Sequence, residues 1–230
     1  MKIGGFQKTS LLDYPKTISA IIWTVGCNFR CPFCYNKDVV LGKTALISEE
    51  EVLSYLEKRK GMVEALVITG GEPLLQEDIV DFANKIKKLG YLLKIDTNGC
   101  YPEKLQELLN KKLIDYIAMD VKAPRQKYEQ LTETKTDLAK IEKSIEIIKT
   151  EAPDYEFRTT FVPQLLKKQD IIEIAKWLDG AKNYYLQQFQ KNPPLLSTKF
   201  NDVTQYPKEY LIETYNEIKP CFKKSGIRGI

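Results

Sequence analysis

Residues 18–34 read ISAIIWTVGCNFRCPFC and join an apolar run to three closely spaced cysteines. The run 18–25 is rich in β-branched residues, as a buried strand would be, and the cysteine segment begins directly after it. In barrels of parallel strands, the loops that follow the strands meet at the functional face. The stretch therefore predicts a β-strand that delivers Cys27, Cys31 and Cys34 to that face.

Short apolar runs alternate with longer segments of helical period along most of the chain. This alternation is typical of a parallel sheet with crossover helices. The predicted strands are 18–25, 65–69, 92–97, 116–120, 156–162 and 184–189, and the predicted helices are 48–60, 76–89, 102–111, 137–150 and 167–179. Six such repeats would close only part of an eightfold barrel. We expect an α/β fold, a partial (β/α)6 TIM-like barrel of parallel strands with a C-terminal helical extension.

The length of 230 residues suits one domain with a full hydrophobic core. We expect a single domain over residues 1–230, with the barrel core at 16–190. Residues 191–230 contain four prolines around one segment of helical pattern. They are predicted to form a C-terminal cover.

Composition and charge indicate which partners and which compartment to expect. Lys and Arg exceed Asp and Glu by only four and are spread along the chain, which gives no support for nucleic-acid binding. The sequence shows neither a run long enough to span a bilayer nor the features of a secretory signal. We expect a cytoplasmic protein with no membrane partner, in which a reducing environment keeps the five cysteines available to metal.

The three clustered cysteines are soft ligands that suit either zinc or an iron-sulfur cluster. Both usually take four ligands, yet the chain has no histidine, and Cys100 and Cys221 lack paired spacing. Three interpretations follow from the residues alone. The cysteines could form a zinc site completed by Cys100, could be unrelated buried thiols, or could hold a four-iron cluster with one iron left open to substrate.

The pattern Cys27-x3-Cys31-x2-Cys34, with aromatic Phe33 before the last cysteine, resembles the signature of the radical S-adenosylmethionine family. The resemblance implies a [4Fe-4S] cluster whose unique iron binds the methionine moiety of S-adenosyl-L-methionine. It also implies reductive cleavage of that cofactor to a 5'-deoxyadenosyl radical. Tyr35 stands where related activating proteins commonly carry histidine, and its ring could stack on the adenine.

A glycine-rich motif, Gly70-Gly71-Glu72-Pro73, follows the second predicted strand. Taken alone, it is typical of a plain strand-to-helix connection. In the radical S-adenosylmethionine family the motif holds the methionine amino group. The resemblance therefore implies close backbone approach at the two glycines and an acceptor for the ammonium group at Glu72.

Polar residues also end or interrupt four later predicted strands: Asp96, Thr97 and Asn98 end the third, Asp120 and Lys122 end the fourth, Arg158 interrupts the fifth and Gln190 follows the sixth. Helix capping, a surface ion pair or a solvent-facing arginine on an edge strand would each account for some of them. The resemblance instead implies that they line the S-adenosylmethionine site. It places Arg158 near the cofactor carboxylate and Gln190 near the adenosine, and it assigns no role to Cys100 or Cys221, for which a buried structural role is expected.

The N-terminal residues 4–15, GGFQKTSLLDYP, resemble the lead-in of activating proteins of anaerobic ribonucleoside-triphosphate reductase. This resemblance implies that the chain removes hydrogen from a glycine of that reductase and forms a glycyl radical. A reduced flavodoxin- or ferredoxin-type protein would donate the electron. The alternatives are radical chemistry on another glycyl-radical enzyme or a small molecule, and a zinc-stabilised binding module.

Overall fold

The computed structural model describes residues 1–191 and 194–230, which build one eight-stranded sheet in the order β1 to β8. The strands are β1 (Ile3–Tyr14), β2 (Thr17–Thr24), β3 (Ala65–Gly70), β4 (Leu92–Thr97), β5 (Tyr116–Asp120), β6 (Tyr155–Phe161), β7 (Asn183–Gln188) and β8 (Lys224–Arg228). β1 pairs with β2 in antiparallel fashion, and every later pairing is parallel. The predicted α/β class of parallel-strand partial barrel is confirmed.

Alternate strand residues face opposite sides of the sheet, as the pleat requires. On β2 and β3, Ile22 and Ile68 pack into the main core beneath the helices. Their neighbours Ile21 and Val67 belong to a separate small cluster on the other face, with Trp23 packed against it. The inner face is thus only partly filled by apolar side chains, which leaves room for a cavity inside the barrel.

Eight α-helices lie among the described residues and connect or follow the strands. They are α1 (Lys37–Leu41), α2 (Glu49–Lys58), α3 (Ile79–Lys88), α4 (Pro102–Asn110), α5 (Tyr128–Thr132), α6 (Leu138–Glu151), α7 (Lys168–Trp177) and α8 (Lys208–Ile218). The Ser48 hydroxyl caps α2 by accepting from the Glu51 N–H at 3.1 Å, as the sequence predicts. Every one of these helices is too short or too polar to traverse a lipid bilayer.

Helix α3 starts three residues later than predicted, at Ile79 instead of 76. The Gln76 side chain is used elsewhere: its Nε2 donates to the Val25 carbonyl at 2.9 Å, and its Oε1 accepts from the Lys2 N–H at 3.1 Å. These bonds tie the segment before α3 to the end of β2. Long-range side-chain bonding therefore decides where the helix begins.

The six predicted strands correspond to β2 to β7, and sequence analysis did not predict β1 and β8. β1 contains a polar stretch and pairs with β2 through three register irregularities, so it lacks the steady alternation that identifies a strand. β8 is short, with Gly226 at its centre and charged residues at both ends. The sheet consequently extends beyond the predicted core of residues 16–190 at both ends.

The predicted C-terminal cover contains the helix α8 and also supplies β8, so part of it belongs to the sheet of the barrel. β8 runs parallel to β7, with Leu186 opposite Ile227. Residues 192 and 193, which fall in the predicted cover, lie outside the described residues.

Candidate active site

The cysteine loop, residues 26–36, leaves the carboxyl end of β2 and is held by hydrogen bonds from distant parts of the chain. The backbone N–H groups of Leu196 and Ser197 donate to the carbonyls of Cys34 and Pro32, at 2.8 and 2.9 Å. The segment after β7 therefore fixes the position of the last cysteine. Prediction from sequence could not find this contact because the partners are more than 160 residues apart.

All three cysteine thiols are buried enough to resist ionisation in the absence of a metal. Burial raises the pKa of Cys27 to about 11 and the pKa of Cys31 to about 12, and it also raises the pKa of Cys34. The ammonium of Lys122 acts in the opposite direction on each thiol because it favours the thiolate. Metal binding, which needs thiolates, would therefore have to displace these protons.

The donor chemistry of this loop fits an iron-sulfur cluster. Three soft thiols emerge from one loop, with 7% of Cys31 exposed and Cys27 and Cys34 partly buried. No three His, Cys, Asp or Glu side chains among residues 1–191 and 194–230 are arranged to hold a single metal ion.

The two glycines of the Gly-Gly-Glu motif allow the loop after β3 to lie against the cysteine loop. The Gly71 N–H donates to Thr24 O, and the Glu72 N–H donates to Gly26 O, both at 2.9 Å. A Cβ at position 71 would overlap the carbonyl of Gly26. At Gly71 the backbone of the loop after β3 therefore lies directly against the backbone of the cysteine loop.

The Glu72 carboxylate points into the protein and is fully buried. Its Oε1 accepts from the Leu74 N–H and the Thr97 hydroxyl at 3.0 and 2.8 Å, and its Oε2 accepts from the Asn98 N–H at 2.7 Å. Burial raises the pKa of Glu72 to about 7, although the Asn98 and Thr97 bonds lower it. The side chain therefore joins the loops after β3 and β4, and its implied role as an acceptor for an ammonium group stays a prediction.

Five charged side chains from β4, β5 and β6 form a continuous network on the inner face, which we call the charged cradle: Lys94, Asp96, Asp120, Lys122 and Arg158. Arg158 Nε donates to Asp120 at 2.8 Å, and its Nη1 donates to Asp96 at 3.2 Å. Lys122 Nζ binds Asp120 at 2.9 Å, and Lys94 binds Asp96. Arg158 is thus an inward-facing residue with two carboxylate partners, not an arginine that faces solvent.

These ion pairs hold the cradle in its charged form. Burial raises the pKa of Asp120, but Arg158 and Lys122 outweigh it and hold that pKa well below the usual range. Burial likewise lowers the pKa of Lys122, but Asp120 more than compensates, so the net pKa is raised. The cradle offers both a cationic and an anionic side to a zwitterionic ligand.

Every predicted site residue except Pro73 lines a single cavity of about 850 Å³ inside the barrel. The cavity brings the cysteine loop together with Gly70, Asn98, the charged cradle and Gln190. Phe33 is mostly buried in its wall, whereas 64% of Tyr35 is exposed. This volume lies in the upper range for small-molecule and cofactor sites.

Four further residues, Pro73, Gln190, Cys100 and Cys221, mainly contact other parts of the protein. Pro73 begins a buried 3₁₀ turn. Gln190 Nε2 donates to the Gly229 carbonyl at 2.9 Å and its Oε1 accepts from Gln205 Nε2 at 3.0 Å, so both ends of its amide are engaged within the protein. Cys100 and Cys221 pack against the main core and do not line the cavity.

Sequence reasoning missed a second set of charged residues that line the same cavity. Arg228 on β8 donates both terminal nitrogens to Glu156 on β6, at 2.7 and 2.8 Å, and its guanidinium lies 3.6 Å from the ring centre of Tyr185. The Tyr116 hydroxyl donates to the same carboxylate at 3.0 Å. The only sequence signal was an acidic residue within the apolar strand β6, because its partner is 72 positions away.

Replacing Glu156 with glutamine should lower the free energy of unfolding by about 1–3 kcal/mol, since it leaves the paired Arg228 uncompensated. Burial raises the pKa of Glu156, but the hydrogen bonds from Arg228 and the charge of Arg158 lower it by more. The pKa of Glu156 therefore lies below its ordinary value of 4.5. The pair thus stabilises the fold above about pH 4.5, and this contribution is lost as the pH falls through the lowered pKa. Urea titration at pH 7 measures the difference.

The matched control is Glu103→Gln, because Glu103 is 66% exposed and its side chain pairs with Lys143. This variant should change the free energy of unfolding by no more than about 0.5 kcal/mol. Equal effects of the two substitutions would show that the Glu156–Arg228 pair contributes no more than a surface pair.

Comparison with known families gives a match to the model of the Radical SAM superfamily over residues 21–178, more than half of the chain. The matched segment starts within β2 and ends just after α7, so it contains the cysteine loop and the charged cradle.

Individual relatives extend this similarity over most of the chain. A protein of Methanocaldococcus jannaschii, provisionally named a glycyl-radical enzyme activating enzyme, is 39% identical over 193 residues, which are 82% of this chain and 80% of the relative. The 7-carboxy-7-deazaguanine synthase of Clostridium acetobutylicum is 32% identical over 199 residues, 81% of this chain and 83% of the relative. The structure of Streptococcus suis SuiB bound to S-adenosylmethionine matches with a TM-score of 0.67 at 14% identity, covering 91% of this chain but only 50% of SuiB.

Proposed function

The chain belongs to the radical SAM superfamily, whose enzymes use a [4Fe-4S] cluster and S-adenosylmethionine, and we propose that Cys27, Cys31 and Cys34 are its cluster ligands. When bound and reduced, this pair of cofactors supplies a 5'-deoxyadenosyl radical. The support for these ligands is the thiol loop at the carboxyl end of β2, inside the matched segment and at the wall of the cavity.

The charged cradle is proposed to bind the methionine end of S-adenosylmethionine. Asp96 and Asp120 present carboxylates to an ammonium group, and Lys122 and Arg158 present donors to a carboxylate. The support is their position on the cavity wall, where all four also lie within one ion-pair network. Pairing with one another keeps these side chains oriented before the cofactor arrives.

The glycine-rich loop and Tyr35 are proposed to complete the cofactor site. Gly70 lines the cavity with a positive φ of 120°, so the backbone there can approach a ligand where a side chain would be strained. The exposed face of Tyr35 is available to stack on the adenine. Glu72 and Thr97 are assigned a supporting role, because their polar atoms bind each other.

The proposed reaction is activation of a glycyl-radical enzyme, with hydrogen removed from a glycine of a partner protein. The observation that carries it is the 39% identity to the M. jannaschii relative across four-fifths of both chains. The proposed partner is anaerobic ribonucleoside-triphosphate reductase, supported by the N-terminal residues 4–15. A reduced flavodoxin- or ferredoxin-type protein is the proposed electron donor.

A second candidate is radical chemistry on a small molecule, which the similarity to 7-carboxy-7-deazaguanine synthase favours. The two candidates need the same cofactor site and differ only in the second substrate. The cavity volume does not separate them, because it could admit either a compact molecule or the tip of a peptide loop.

The test is to incubate the reconstituted, reduced protein and S-adenosylmethionine anaerobically with the reductase and to record EPR spectra. We expect a glycyl radical on the reductase, together with deuterium transfer into 5'-deoxyadenosine when the reductase carries α-deuterated glycine. Formation of 5'-deoxyadenosine with neither radical nor deuterium transfer would reject this reductase as the substrate. Substitution of the target glycine by alanine provides the control.

A further inference from the structure

Asn98 lies beside the first cysteine of the loop and is only 5% exposed. Its side-chain Nδ2 is 3.9 Å from Cys27 Sγ, a long but directed N–H···S contact, and the same nitrogen donates to Asn28 Oδ1 at 2.8 Å. The two hydrogens of one amide nitrogen suffice for these two acceptors. Sequence resemblance placed Asn98 among the S-adenosylmethionine ligands, whereas its amide is directed at a cysteine.

The orientation of this amide is determined by its surroundings. Asn98 Oδ1 accepts from the backbone N–H of Cys100 at 3.1 Å, so a flipped amide would place its NH2 group against another donor. The Asn98 backbone N–H is anchored by the fully buried carboxylate of Glu72 at 2.7 Å. The Nδ2 group therefore has little freedom to turn away from Cys27.

Cys27 differs from the other two cysteines in the donors around it. Its Sγ also accepts from the Phe29 backbone N–H at 3.4 Å. Within the described part of the chain, neither Cys31 nor Cys34 receives a side-chain hydrogen bond on sulfur. Among the described residues, Cys27 is thus the one of the three cysteines whose sulfur receives a side-chain hydrogen bond.

We propose that Asn98 is a positioning residue that tunes the reduction potential of the cluster by donating a hydrogen bond to the Cys27 sulfur. Hydrogen bonds to ligand sulfurs are among the factors that set iron-sulfur potentials. Reduction adds negative charge to the cluster and its thiolates, so an N–H donor stabilises the reduced form and makes reduction easier. The inference rests on the proposed ligation by Cys27 and is independent of the second substrate.

The test is an anaerobic redox titration of the reconstituted protein, followed by EPR, for wild type and Asn98→Leu. Leucine has a similar volume and cannot donate. At a solution potential fixed near the wild-type midpoint, the ratio of reduced to oxidised cluster should be about three- to tenfold lower in Asn98→Leu than in wild type. This is the effect expected from the loss of one hydrogen bond. Asn98→Asp, which retains the Oδ1 acceptor for Cys100 but loses the donor, should shift the midpoint in the same direction.

The matched control is Cys221→Ala, because Cys221 packs against the main core and does not line the cavity. This variant should titrate like wild type. An unchanged midpoint in Asn98→Leu would overturn the inference while leaving the proposed function intact, whereas failure of the wild type to assemble a cluster would reject the ligation itself.

A measurement on wild-type protein covers the case in which the Asn98 variants do not retain a cluster. With ¹⁵N in the asparagine side-chain amides only, pulsed EPR of the reduced cluster should detect coupling to a ¹⁵N nucleus. Absence of any coupling would contradict a hydrogen bond from Asn98 to Cys27.

Discussion

Replacing Cys31 with alanine is expected to abolish 5'-deoxyadenosine formation, with a loss of at least about 1,000-fold, because a cluster lacking one of three protein ligands is not held in place for transition-state chemistry. Cys27→Ala and Cys34→Ala should have the same effect. Iron and sulfide content after anaerobic reconstitution, together with 5'-deoxyadenosine measured by chromatography, checks the result. Cleavage that survived in all three variants would remove the cysteine loop from the mechanism.

The fold itself should survive these substitutions. Cys31 is 7% exposed, so alanine removes one buried sulfur and leaves a small cavity, at a cost of about 1–2 kcal/mol in the free energy of unfolding. Cys221→Ala is the matched control, because Cys221 packs against the core far from the cavity lining. It should retain both cluster and cleavage.

Substitution of Gly71 by alanine is expected to disable the site through geometry alone. The added Cβ would overlap the Gly26 carbonyl, and backbone on both sides would have to shift. The affected hydrogen bonds are those that join the loop after β3 to Thr24 and Gly26, next to Cys27. Displacement of a cluster ligand by about 1 Å can cost about 100-fold in rate, and overpacking costs about 2–3 kcal/mol in stability.

The measurements for Gly71→Ala are cluster occupancy after reconstitution, the rate of 5'-deoxyadenosine formation and urea unfolding. Gly61→Ala serves as control because a Cβ there meets nothing within 4 Å, although its φ of +82° is unfavourable for alanine. It should lose about 1 kcal/mol of stability and keep full cleavage activity. A Gly71→Ala protein with normal cluster content and rate would show that close contact of the two loops is not required.

The strands that sequence analysis located most accurately are two strands in the interior of the sheet. The predicted strands 92–97 and 116–120 coincide with β4 (Leu92–Thr97) and β5 (Tyr116–Asp120). β5 is apolar from Tyr116 to Met119, as a strand buried on both faces requires, whereas β4 alternates Leu93 and Ile95 with Lys94 and Asp96 and is recognised by its period of two. β1 and β8 lie at the two edges of the sheet, where this requirement is weaker, and both were missed.

Within the candidate site, sequence analysis found the features that depend on nearby residues and missed those that depend on residues far apart in the chain. The cysteine spacing is local, so Cys27, Cys31 and Cys34 could be identified as a group before the fold was known. The direction of the Glu72 carboxylate and the partners of Arg158 depend on strands brought together by folding. The sequence identifies these residues as charged groups of a candidate site. It does not show whether each group faces the cavity or another side chain.

The proposed function depends on a [4Fe-4S] cluster that is held by the cysteine loop and cleaves S-adenosylmethionine within the barrel. The most direct test is anaerobic reconstitution of the wild-type protein, followed by metal and sulfide analysis and by reduction in the presence of S-adenosylmethionine. We predict about four irons and four sulfides per chain, no stoichiometric zinc and cluster-dependent formation of 5'-deoxyadenosine. One zinc per chain, with no iron-sulfur cluster and no cleavage, would show that the three cysteines form a zinc site and do not hold a cluster.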